Sequence, residues 1–328
     1  MTRPPLLVFL TVDTEIWPFT ENWRETGLKD ETARYIDGVT ASGSFGLPYQ
    51  LERLSRHGLR GVFFVEALFA CELGLEPLRR IVTMIREGGH DVELHLHPEW
   101  LARMTRPVLP GRTGRNMHEF DEGEQSALIA AGVENLRACG VDTISAFRAG
   151  NFGANHDTLR ALRQNRIPYD SSYNLAYLSR TCRLRTPSPM LQVSPLEGIH
   201  EFPVTSFEDY PGHARPVQLC AISSREAEHV FEEAWRRGWH SVVWVSHSFE
   251  LLKRRIRPGA PALTDRVAIA RFDRLCHFLA SNRERFRTAG FDEVDAASLP
   301  EAQPTEWIRS HVLRTALRLP EQVLSQLL

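Results

Sequence analysis

The runs Leu10-Thr11-Val12-Asp13-Thr14-Glu15 and Glu93-Leu94-His95-Leu96-His97-Pro98-Glu99-Trp100 carry ionisable side chains at alternate positions. Side chains alternate across a strand, so Asp13 and Glu15 share one face. Likewise Glu93, His95 and His97 share a face, with Val92, Leu94 and Leu96 opposite. Two imidazoles two residues apart beside carboxylates form a nitrogen-and-oxygen donor set of the kind zinc and other first-row divalent ions take. The bland alternative is a pair of hydrogen-bonded core histidines and acids that open a solvated loop. It too demands a polar network, because burying two histidines and Glu93 without partners is costly.

These residues need strands to hold them, and the hydropathy pattern supplies strands. Short apolar runs alternate with longer segments whose apolar residues recur every three or four positions, the pattern of parallel strands with crossover helices. The expected strands are Leu6–Asp13, Gly61–Glu66, Asp91–His97, Thr143–Arg148, Pro168–Ser171, His200–Thr205 and His240–Ser246, with an eighth near Phe291–Val294. The expected helices are Leu47–Arg56, Glu76–Glu87, Glu124–Cys139, His156–Gln164, Ser224–Arg237 and Asp265–Asn282. Two connections, Glu15 to Gly46 and Pro98 to Glu122, are long for a compact domain. Both follow strand C-termini, where the active sites of α/β barrels lie.

The balance of 39 basic and 41 acidic residues gives a net charge of −2, so no general field gathers nucleic acid or an anionic membrane. Five scattered cysteines without a CxxC pair fit neither a disulfide framework nor a zinc finger, and point to a reducing compartment. The apolar run Leu6–Leu10 is too short for a signal-peptide core or a membrane span, so a cytoplasmic protein is expected.

Gly89-His90-Asp91 followed by His95 resembles the second motif of the polysaccharide deacetylases, carbohydrate esterase family 4. Asp13 after Thr-x resembles that family's first motif, Phe147-Arg148 its third, Tyr169-Asp170-Ser171-Ser172 its fourth and Val245-Ser246-His247-Ser248 its last. The motifs stand in the family's order from about Leu6 to Leu251. The resemblance implies a distorted (β/α)7 barrel, residues 1–298, with long loops on its C-terminal face and a C-terminal helical extension, residues 299–328. It implies a metal-dependent hydrolase that removes N-acetyl groups from an acetylated sugar or polysaccharide precursor, with zinc foremost among the divalent ions. Asp13 is then the general base that activates water, Arg148 the cation that keeps Asp13 ionised and His247 the acid that protonates the departing amine.

The departures bear on the metal shell. Thr14 stands where the family places a second aspartate, which makes Glu15 the candidate ligand beside His95. Four residues after His95 stands Glu99 rather than histidine, so either Glu99 or His97 completes the shell. A metal-independent variant of the site stays open as well. Trp17 and Trp100 can stack on sugar rings, Asn151 in Gly150-Asn151-Phe152-Gly153 can hydrogen-bond substrate, and Asp170 is placed with them as a substrate contact. Arg103, Arg106, Arg112 and Arg115 hint at an anionic group on the substrate. Trp307–Leu328 interleaves apolar and arginine residues and reads as a helix packed on the barrel, with a weak membrane or protein contact as the alternative. Rival readings are a hydrolase of a non-sugar amide on the same fold and a catalytically inactive carbohydrate-binding protein.

Overall fold

In the computed structural model, residues 3–253, 262–300 and 306–311, with Thr315, Arg318 and Glu321, are described. The expected C-terminal extension therefore falls mostly outside the described residues. Strands in chain order are β1 (Leu6–Thr14), β2 (Gly61–Glu66), β3 (Asp91–Leu96), β4 (Ala146–Ala149) and β5 (Tyr169–Asp170). They continue as β6 (Ser194–Leu196), β7 (Ile199–Glu201), β8 (Ser206–Tyr210), β9 (His213–Pro216), β10 (Ser241–His247) and β11 (Phe286–Thr288). The chain divides into two compact units, one of Met1–Gly61, Thr205–Ala289 and Glu306–Leu328, the other of Val62–Val204 and Gly290–Thr305.

In the first unit β1 lies between β10 and β11, parallel to both, which accounts for a strand as uniformly apolar as Leu6–Val12. Register sets Asp13 opposite His247, so the C-terminal residues of two neighbouring strands face the same way. Helices Leu47–Arg56, Ser224–Arg236 and Arg266–Ala280 belong to this unit. The latter two start where the Ser223 and Asp265 side chains accept backbone N–H groups of their first turns. At the carboxyl end, buried Arg318 pairs with Asp209 and Glu226, and buried Ile308 accepts a backbone bond from Glu208.

In the second unit β2, β3, β4, β5 and β7 pair in parallel in that order, and β6 adds antiparallel to β7. Helices Glu76–Glu87, Glu122–Ala138 and His156–Gln164 fall between consecutive strands, as the periodicity predicted. Phe63, Phe64, Leu94, Phe147 and Phe202 are fully buried and form the core.

Two expectations are corrected. Phe291–Glu293 is a 3₁₀ turn, not a strand: buried Phe291 packs against Phe64, Tyr169 and Phe202, and its N–H bonds the Asp91 carboxylate at 2.7 Å. The strand near there is β11, a few residues earlier. The run His200–Thr205 is not one strand either. Proline has no N–H to give a ladder, and Pro203 falls where β7 stops, before the antiparallel hairpin β8–β9 begins.

Candidate functional site

The first unit brings Asp13, Glu15 and His247 together. One ligand atom from each lies within 4.8 Å of the others. His247 Nε2 stands 4.0 Å from Asp13 Oδ2 and 3.8 Å from Glu15 Oε1. Glu250, in the turn after β10, accepts both the backbone N–H of His247 at 3.0 Å and its Nδ1–H at 3.3 Å. Burial alone would lower the imidazole, but Glu250, with Glu15 and Asp13 behind it, raises it to about 9. His247 is thus cationic at neutral pH beside two carboxylates. Gln50 secures the same turn from below through its Nε2, which donates to the carbonyls of His247 and Ser248. The indole N–H of Trp17 donates to Glu15 Oε2 at 2.9 Å.

The second unit places His95, His97 and Glu99 around the end of β3. His95 Nδ1 lies 2.7 Å from the carbonyl oxygen of Arg148, an acceptor only, so Nδ1 carries the proton and Nε2 the lone pair. The 3₁₀ turn Pro98–Arg103 folds Glu99 back until its Oε2 is 2.9 Å from His97 Nδ1. The two rings meet edge to face with centroids 4.8 Å apart. Glu93, on the same face in the sequence pattern, is directed elsewhere, to the backbone N–H groups of Ser145 and Ala146, and burial raises its carboxyl well above the usual range. Glu66 at the end of β2 accepts N–H groups of Leu68, Phe69 and His97, with its pKa raised by burial to about 7.

Arg148 is fully buried, donates to the backbone carbonyl and hydroxyl of Ser171 at 3.0 Å each, and stacks over Phe64. Asp170 is also fully buried, bonded to the Ser172 hydroxyl at 2.7 Å. Burial raises it, and burial together with the facing Asp170 carboxyl raises its neighbour Glu201 well above the usual carboxylate range. Asp170 therefore has no surface on which to meet a substrate in this conformation. Trp100 is likewise fully buried, against Phe69 and with Arg103 over its ring. The loop arginines are largely spoken for, Arg112 by Glu124, Arg115 by Glu99, and Arg103 by the carbonyl of Glu99. Asn151 sits at a left-handed φ of 57° and donates to Glu99 Oε2 at 3.4 Å.

Sequence reasoning missed Glu250, Glu201 and Glu66. Only Glu250 had a signal: an acid three residues beyond a strand-end histidine, within reach across one turn. A carboxylate-and-imidazole set whose rings present Nε2 suits a divalent ion of the zinc type.

No protein-family model and no curated protein matches the sequence. Among solved structures, a Mycobacterium smegmatis protein provisionally described as a polysaccharide deacetylase superposes with a TM-score of 0.53 at 16% identity, over 92% of this chain and 94% of that one. A family 4 carbohydrate esterase from Streptomyces lividans, in complex with acetate, gives 0.40 at 12% identity over 87% and 91%. A family 4 pseudoenzyme from Bacillus anthracis gives 0.40 at 9% over 88% and 65%. The first of these establishes the fold, the α/β type expected from the motifs: the chain is built as a distorted (β/α) barrel of the polysaccharide-deacetylase kind.

Proposed function

We propose that the chain is a metal-dependent hydrolase that removes N-acetyl groups from an acetylated sugar or a polysaccharide precursor. The observation that carries the reading is the pairing of Asp13 with His247. A buried carboxylate faces an imidazolium across neighbouring strand ends, which is a base and an acid at one place. Amide hydrolysis needs both, one to take a proton from water and one to give a proton to the leaving amine, and a positioned group of this kind contributes about 10²–10⁴ in rate. Asp13 takes the base role because it can only accept. His247 takes the acid role because it starts protonated, with Glu250 holding Nδ1–H so that the exchangeable proton sits on Nε2.

In this reading the candidate ligands for the ion, zinc foremost, are Glu15 in the first unit and, in the second, His95 with either His97 or Glu99. When bound, such an ion supplies Lewis acidity toward the acetyl carbonyl. Trp17 holds Glu15 in place and Asn151 lies beside Glu99. The five scattered cysteines, with no CxxC pair, support a reducing compartment, which would favour a precursor inside the cell over a finished wall polymer.

Metal analysis of the purified protein, paired with acetate release from N-acetylglucosamine oligomers before and after chelation, tests the reading. Bound metal with chelator-sensitive release that Asp13→Asn abolishes sustains it. Metal without release on any sugar favours another amide. Neither metal nor activity leaves a carbohydrate-binding protein.

A further inference from the structure

Within the metal-dependent reading, on which this inference rests, His97 and Glu99 are the two candidates to complete the shell after His95. We propose that His97 is the ligand and that Glu99 is a positioning residue, the carboxylate that fixes the tautomer and direction of the His97 ring. A carboxylate accepts and cannot donate, so the 2.9 Å contact puts the proton on His97 Nδ1 and the lone pair on Nε2. His95 reaches the same tautomer by a different acceptor, the Arg148 carbonyl. Both imidazoles thereby offer the same nitrogen. Metal-bound histidines characteristically give their second N–H to a carboxylate or a carbonyl, and one of each is present here.

Glu99 is occupied on both oxygens. Oε2 also takes the Asn151 amide at 3.4 Å, and Oε1 takes Arg115 Nε at 3.3 Å. Turning it to an ion would break these bonds and leave the His97 Nδ1–H without its acceptor. The ring is confined from other sides as well. Its backbone N–H goes to Glu66, and a Cβ on Gly150 would stand 2.5 Å from Nδ1, so glycine there lets the chain close against the imidazole. The glycine after the arginine motif thus serves close approach, with His97 as the group approached.

The test uses the full chain with cobalt as the probe ion, and nitrogen-15 NMR of the metal-free protein. The proposal expects Glu99→Gln, which keeps an acceptor oxygen, to weaken cobalt binding by about 10–100-fold while leaving the visible spectrum of the bound ion unchanged. His97→Ala is expected to change the spectrum itself. In the metal-free parent, His97 is expected to be protonated at Nδ1, and Glu99→Ala to release that preference. A cobalt spectrum altered by Glu99→Gln as by loss of a ligand overturns the proposal, as does an Nε2-protonated His97 in the parent. A parent protein that binds no cobalt or zinc overturns instead the metal-dependent reading, while the tautomer measurement still decides what Glu99 does to the ring.

Discussion

Glu250 grips His247 twice, at the backbone N–H and at ring Nδ1, from a position three residues along the same turn. Substituting Glu250→Gln keeps an acceptor and removes the charge, so the His247 pKa is expected to fall from about 9 toward the ordinary histidine range. The sign for stability follows. The folded value lies above the unfolded one, so the stabilisation is complete below about pH 6.5 and is lost as pH rises through about 9. An NMR pH titration of the metal-free protein measures the midpoint in both forms. An unchanged midpoint in the variant would remove Glu250 as the cause.

Trp17→Phe separates two uses of one side chain. The ring is kept and the N–H that holds Glu15 is lost. Weaker metal binding, by up to about tenfold, is expected with little change in KM for oligosaccharide, since removing one neutral donor costs about 1 kcal/mol. The reverse outcome, a raised KM with metal affinity intact, would mark Trp17 as a sugar platform.

Gly150→Ala drives a methyl group into the His97 ring, whose nearest atoms are Nδ1, Cγ and Cε1. Overpacking at such a contact costs about 1–3 kcal/mol, and the ring must shift to relieve it. Urea denaturation is expected to show that loss, and isothermal titration a weaker metal site. Alanine tolerated on both counts would mean the chain does not press on His97 in solution.

Arg318→Ala tests the anchorage of the carboxyl end. Its guanidinium lies buried between Asp209 and Glu226, at 2.9 and 2.7 Å. Asp209 keeps Arg215 and His213, whereas Glu226 loses its salt bridge. Removing one partner of a buried ion pair is strongly destabilising, here by about 3 kcal/mol, and Arg318→Lys recovers part of it. Chemical unfolding of the three forms gives the comparison.

What the amino-acid order settled by itself is what depends on local periodicity. Strand β2 and helices Leu47–Arg56, Glu76–Glu87 and His156–Gln164 begin and end where apolar spacing places them. The same alternation put Asp13 with Glu15 and His95 with His97, because side-chain parity along a strand needs no knowledge of the rest of the chain. Pairing across long distances was beyond its reach. That β1 lies against β10 in a register setting Asp13 opposite His247, 234 positions later, is a property of the packed sheet. The sequence leaves open which of His97 and Glu99 completes the shell, and only the folded backbone shows that the turn at Pro98 carries Glu99 back onto His97. Burial decided the rest. Trp100 and Asp170 are expected from the sequence as substrate contacts, and both lie fully inside. A residue's type says what it can bind, and its solvent exposure, set by every element packed around it, says whether a substrate can reach it.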